Sequence, residues 1–456
     1  MSSSLGWLPL TSVLVAAACS CSDQPTAHAP PSDAGVEADT SGNGTAGTAG
    51  RDTGPPDAPA DTGSDAPPDA TLPTPDGGDH AWLFDTQSWN KVSHISDCDV
   101  WEADLSKLQP PDLDWQPCGP GCLEADVVPG VAEQYTWSNG SAMRNIDGEA
   151  YLATSTRLNA GAWVNQVALR RVSDWKAVSM LAEHSNCLTK IAGPASPFLL
   201  WVQANTGTPD MNVGVLPSTG GPLSWPQPVI STSYAAFDFI GGWGGVFGFA
   251  DVAVALTPGS TELTSIYTGG YVDRPAAHGD LVVLPVALGQ GGSIVGWSKS
   301  QGTQTLATGT WEPVSAAAGP GAILWLGVYG PRVAEGSFER TELWWSPFAR
   351  EPTGFNATLG PELPIAHLPN GTAVAGDYGA VASRTDANGN HHVYIIHLPS
   401  SQVQRIPWPQ GTFPQVLGMT LDQLIVAQRT GSDPGYYEKL RRFDLSRLAE
   451  YAVPYP

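Results

Sequence analysis

Oxygen donors stand at alternate positions in Asp386-Ala387-Asn388-Gly389-Asn390, the arrangement that a hard cation such as calcium favours. Asp386, Asn388 and Asn390 are therefore candidate calcium ligands, and beyond calcium the sequence implies no cofactor. The rest of a calcium loop is missing. Glycine falls at the fourth loop position instead of the sixth, and His397 stands at the twelfth, where a bidentate Glu belongs. An Asn-Gly hairpin between two strands accounts for the same residues without an ion, and the surrounding sequence favours it. Four carboxylates, Asp147, Asp280, Asp377 and Asp422, recur in turns. Converging at one mouth, they could act as acid and base. Scattered round a rim, they do only what Asp does in any turn. Trp243 lies within Gly241-Gly242-Trp243-Gly244-Gly245, and an indole held out on a glycine turn can stack on a sugar or anchor a protein. No nucleophile elbow, zinc-protease motif, phosphate loop or dinucleotide fingerprint occurs, and no catalytic residue is assigned.

The elements that carry these residues form a repeat. From residue 142 onward, Gly- or Asp-bearing turns are followed by apolar runs centred on Leu152, Leu200, Phe247, Val283, Leu324, Val381 and Ile425. The spacing averages about 45 residues, that of a four-stranded propeller blade. A third strand follows in several repeats, as in Gln166–Leu169, Gly292–Val295, His392–Ile396 and Leu440–Phe443, and a weaker fourth comes after it. Continuous apolar runs suit strands buried on both faces, and alternating ones suit edges that meet water. The expected fold is all-β: a β-propeller over residues 141–456, most simply seven-bladed, with six or eight blades the alternatives. A β-sandwich needs no repeat of this period, and a β-helix has shorter coils. Residues 80–140 include strand-like Val100–Leu105 and Leu113–Trp115, which either pack on the propeller or close it. Leu440–Tyr451 also scans as a helical turn. Trp201, Trp297, Trp325, Trp344, Trp345 and Trp408 recur along the strands, where bulky side chains fill the wedge between blades. Gly241-Gly242 and Gly269-Gly270 resemble the glycine doublet of kelch-type propellers, but the accompanying Tyr and Trp spacing is not sustained, so no subfamily follows.

The front of the chain is of another kind. Residues 5–18 are small and apolar, end in Val15-Ala16-Ala17-Ala18, and precede Cys19. The run is too short to span a membrane. It resembles a bacterial lipoprotein signal (residues 1–18), which implies export and lipidation of Cys19, with Cys21 as the alternative site. The resemblance is incomplete, since no Lys or Arg precedes the run and Ala16 stands where Leu is favoured. Plain secretion after Ala18 is the competing reading. Residues 23–79 hold eleven acidic residues and one basic one, Arg51, with Val36 and Leu72 as the large aliphatics. Such a stretch cannot bury enough apolar surface to offset its chain entropy, so residues 19–79 are expected to be a disordered tether. Similar Asp/Pro-rich spacers follow the lipidated Cys in bacterial surface lipoproteins. Ser20 or Ser22 after the cysteine implies, by the same resemblance, the outer membrane, with a secreted or periplasmic location as the alternative.

Four cysteines remain: Cys98, Cys118, Cys122 and Cys187. In an exported chain an even set reads as two disulfides. Joining Cys98 to Cys118 or Cys122, and the other of these to Cys187, would staple residues 80–140 to the first blade. A bridge between Cys118 and Cys122 is the competing arrangement. Zinc is disfavoured because Cys98 and Cys187 are too scattered for a ribbon or finger. The net charge of −23, with no basic run, excludes nucleic acid as a partner. The function expected is a binding module at the cell envelope, for an envelope or extracellular protein or polysaccharide, touching the membrane through a lipid anchor only. The alternatives are a hydrolase or lyase acting on extracellular glycan or lactone, and a purely structural envelope protein.

Overall fold

The computed structural model describes residues between 86 and 455 with internal gaps, the longest at 129–135, 217–229, 232–245, 331–339, 348–357, 363–370 and 384–390. All described residues fall in the unit Pro67–Pro456. The signal and tether of the sequence reading lie outside the described residues.

Four strands precede the repeats: β1 (Trp89–Ile95), β2 (Cys98–Ala103), β3 (Gln116–Gly119) and β4 (Cys122–Asp126). The first sheet comprises β5 (Thr136–Ile146), β6 (Glu149–Asn159), β7 (Trp163–Arg171) and β8 (Ala177–His184), and β2 then β1 extend it beyond β8. The second comprises β9 (Cys187–Ala192), β10 (Phe198–Ala204), β11 (Asp210–Leu216) and β12 (Ile230–Ser231). The third comprises β13 (Val246–Phe249), β14 (Val252–Leu256) and β15 (Leu263–Thr268). In the fourth, β16 (Tyr271–Val272) and β17 (Ala276–His278) both pair with β18 (Leu281–Ala287), followed by β19 (Gly292–Ser298) and β20 (Gly302–Gly309). The fifth comprises β21 (Glu312–Gly319), β22 (Ala322–Tyr329), β23 (Arg340–Pro347) and β24 (Thr358–Glu362). The sixth comprises β25 (Thr372–Ala375), β26 (Tyr378–Ser383), β27 (His392–His397) and β28 (Gln402–Pro407). The seventh comprises β29 (Phe413–Met419), β30 (Gln423–Thr430) and β31 (Tyr437–Asp444), completed by β4 and β3 from the front of the chain. A helical turn, α1 (Leu448–Tyr451), follows β31, and β32 (Val453–Pro454) pairs with β28. The helical turn expected within Leu440–Tyr451 is thus its second half.

First strands pack on one another from sheet to sheet: β21 on β17, β25 on β21, β29 on β25, β5 on β29 and β9 on β5. The last sheet meets the first, as the blades of a β-propeller do. Burial follows position in the sheet. Every residue of β22 from Ala322 to Val328 is buried, whereas no residue of edge strand β20 is. Core lies between sheets, not within them. Trp325 of the fifth sheet packs with Val283 and Ile294 of the fourth, while Leu324 packs with Val381 and Ile396 of the sixth. Val426 packs with Val393 and Ile395, and Ile425 and Leu440 pack with Leu152 and Met180 of the first sheet. Near the axis the blades converge until a methyl group has no room: a Cβ on Gly319 would lie 1.8 Å from the Val374 carbonyl oxygen. Farther out the wedge opens, and Trp311, Trp325 and Trp344 fill it, with the last two stacked at 6.4 Å.

The expectation of seven complete blades is corrected to five among the described residues. The first, fourth, fifth, sixth and seventh sheets are complete. The second ends in a two-residue strand, and the third has three strands. The physical reason is that the repeat signal comes from one apolar strand and its turn, which any hairpin satisfies whether or not outer strands accompany it.

Candidate functional site: a cleft where the chain ends meet

The last sheet takes its outer strands from residues more than three hundred positions earlier, and this junction builds a cleft. β4 adds to β31 in the register Leu440↔Ala125, Arg441↔Glu124, Arg442↔Leu123 and Phe443↔Cys122. The β3–β4 turn is Cys118-Gly-Pro-Gly-Cys122, closed by a disulfide between its end residues. This corrects the favoured pairing, in which Cys118 and Cys122 went to different partners. Two cysteines four apart on a tight hairpin meet without crossing a blade. Gly121 has φ +62, in the left-handed region, and a Cβ there would lie 2.8 Å from the Tyr451 ring. Glycine therefore serves both the turn and the seating of the C-terminal segment. The Gly121 carbonyl accepts from the Asp444 amide at 2.9 Å, and the Tyr451 hydroxyl donates to the Asp444 carbonyl at 2.9 Å. Burial, then the Asp444 charge, pushes the Tyr451 phenol well above its ordinary value.

Between these parts lies a cavity of about 420 Å³, lined among others by Gly121, Leu123, Asp422, Arg442, Asp444 and Arg447. Its charged groups differ in how they are occupied. Arg447 is held by Glu450 through two hydrogen bonds of 2.8 and 2.6 Å. Oδ1 of Asp444 accepts from the Ser446 amide at 2.9 Å and its hydroxyl at 2.6 Å, and that side-chain bond chiefly holds the carboxyl below its usual range. Arg442 is half-buried and has no carboxylate in hydrogen-bonding reach among the described residues. Its guanidinium lies over the Trp115 ring at 4.5 Å and the Trp175 ring at 5.7 Å, and these two indoles meet edge to face at 4.7 Å. Burial lowers the Arg442 pKa. A guanidinium stacked on indoles keeps its edge donors for a planar oxyanion. Behind it, Arg170 is 2% exposed, donates to the Trp175 carbonyl at 3.2 Å, and has its pKa lowered to about 10, mainly by burial.

Of the four turn carboxylates, Asp422 lines this cleft. Asp377 is exposed on the equivalent β25–β26 hairpin of the neighbouring sheet, beside Gly376, which approaches Leu421. Asp147, Asp280 and Trp243 lie outside the described residues, as do Asp386, Asn388, Asn390, Cys19 and Cys21. No cluster of three or more metal-ligating side chains occurs among the described residues. Cys98 and Cys187 begin β2 and β9. Arg442, Trp115 and Trp175 escaped the sequence reading. The one available signal was the Arg441-Arg442 doublet, placed on a strand in a chain with 21 basic residues.

No known family matches the chain, and no curated protein matches it. Among solved structures, the β-propeller domain of the Trilobed protease from Pyrococcus furiosus aligns at 11% identity and TM-score 0.44, over 69% of this chain and 95% of that one. BamB from Moraxella catarrhalis aligns at 12% identity and TM-score 0.37, over 78% and 100%. A putative TolB from Agrobacterium tumefaciens aligns at 13% identity and TM-score 0.30, over 49% and 80%. Likeness at this level carries no assignment of activity or partner; the fold rests on the sheet order and the closure of the ring.

Proposed function

We propose that this chain is an exported β-propeller acting as a binding module at the cell envelope, anchored by lipid on Cys19, or on Cys21 in its place, and held off the membrane by the segment 23–79. Cys98 with Cys187 forms the second disulfide. The observation that carries the binding role is the cleft at the ring closure, where a half-buried arginine keeps its hydrogen-bond donors unspent. A buried cation without an anion is unfavourable alone and becomes favourable with a ligand in place. The low basic content and the net charge of −23 direct the search away from nucleic acid and towards envelope protein or polysaccharide.

The test is capture from an envelope extract by the full chain in parallel with the variant Arg442→Gln. The reading expects a component that the parent recovers and the variant loses. Recovery of nothing, or equal recovery by both proteins, counts against the cleft as the binding site. Palmitate incorporation lost in Cys19→Ser checks the anchor, and loss in Cys21→Ser instead moves it two residues on.

A further inference from the structure

We infer that the cleft binds a zwitterion, a free amino acid or short peptide, with its carboxylate on Arg442 and its ammonium on the Asp422 and Asp444 side. The inference rests on the cleft being the binding site and adds the chemistry of its ligand. Arg442 and Asp444 are two residues apart on β31, so their side chains leave the same face of the strand, about 7 Å apart at the backbone. Phe443 between them turns the other way, into the core with Leu424 and Val426. The open groups are then one cation and two anions. Among the described residues Arg442 has only indole faces as partners. The second oxygen of Asp444, Oδ2, is not used by the Ser446 bonds. Asp422 is exposed at the end of the β29–β30 hairpin, where its backbone, not its carboxylate, makes the turn bonds. Arg447 is occupied by Glu450 and leaves the balance unchanged.

A simple anion satisfies Arg442 but is repelled by the two carboxylates and by the −23 chain. A simple cation leaves Arg442 bare. A molecule with both charges, separated by one or two residues of backbone, meets both demands at once. The cavity, at about 420 Å³, is of the size that takes such a molecule.

Calorimetry on the full-length protein tests this with a panel of free dipeptides, each paired with its N-acetyl and C-terminal amide forms. Saturable binding of free dipeptides is expected, weakened about tenfold or more by capping either end. Arg442→Gln should abolish preference for the free carboxylate, and Asp422→Asn should reduce preference for the free amine. Arg442→Lys keeps the charge but not the planar fork, and should retain weakened binding. Circular dichroism of each variant separates lost binding from lost folding. If no free dipeptide binds, or if capped and free forms bind alike, the inference is overturned. Should Arg442→Gln still lose a captured envelope component in that event, the binding site stands with another ligand class; if it does not, both readings fall.

Discussion

Glu438 illustrates how much one side chain can carry at the seam of the ring. It sits on β31, 2% exposed, and accepts from Arg429 Nε on the adjacent strand at 2.9 Å. Its other oxygen accepts from the Ser141 hydroxyl on β5, in the first sheet. The first and last sheets thus share one carboxylate. Replacing it with the isosteric amide removes the negative charge opposite Arg429 in a mostly buried site. Glu438→Gln should therefore cost about 3 kcal/mol, towards the low end for breaking a buried pair. Urea denaturation reads this, and a loss under about 1 kcal/mol would place the pair with ordinary surface bridges. Arg442 is the opposite case on the same strand, a cation whose fold-given partners are rings. Strand alternation does not separate them, because Glu438, Leu440 and Arg442 share a face; their depth along the wedge sets what each meets.

At the scale of elements, the first strands explain why glycine recurs at sheet junctions. Gly319 ends β21 where it meets β25, and the Val374 carbonyl occupies the space of a side chain. Gly319→Ala should destabilise by about 3 kcal/mol through overpacking. Gly411 offers the contrast: it has φ +77 but nothing within 4 Å of a built Cβ, so Gly411→Ala should cost only about 1 kcal/mol, from the left-handed backbone. Melting of the two variants side by side distinguishes crowding from conformational strain, and equal losses would remove the crowding argument. The same elements show what a sequence can tell. Second strands were legible because burial on both faces leaves continuous apolar runs, such as Ala322–Val328. Turn residues were legible because backbone geometry restricts them. Neither signal reports outer strands, and among the described residues five complete blades stand where seven were expected. The cleft was illegible for a related reason. Trp115, Trp175 and Arg442 come from three separate parts of the chain, and none belongs to a motif. Cys98 and Cys187 lie at an intermediate level. In the β2–β8 register Val100 faces Glu183, so the start of β2 runs towards the link between β8 and β9. The proposed bridge between them is read by non-reducing peptide mapping, and free thiols at both positions would overturn it.

The molecule as a whole is a ring joined by a two-part clasp. β1 and β2 extend the first sheet, β3 and β4 complete the last, and residues 104–115 span the two. One short segment therefore holds both sides of the seam, with the Cys118–Cys122 turn and the Arg441–Glu124 hydrogen bonds of 2.8 and 3.2 Å fixing its far end. A chain lacking residues 86–128 should keep its other blades, with the last cut to three strands, but lose the cooperative unfolding of a closed ring. Denaturation would then show a broader transition with a lower slope; an unchanged slope and midpoint would mean that the clasp is dispensable. The order of synthesis adds a consequence in time. Glu124 and Arg441 are 317 residues apart. The strand that leaves the ribosome early finds its place only after nearly everything else has been made. Until then the β3–β4 hairpin waits without β31 beside it, so the maturing protein passes through a long, open-ended interval in which an escort, or a protease, has its opportunity.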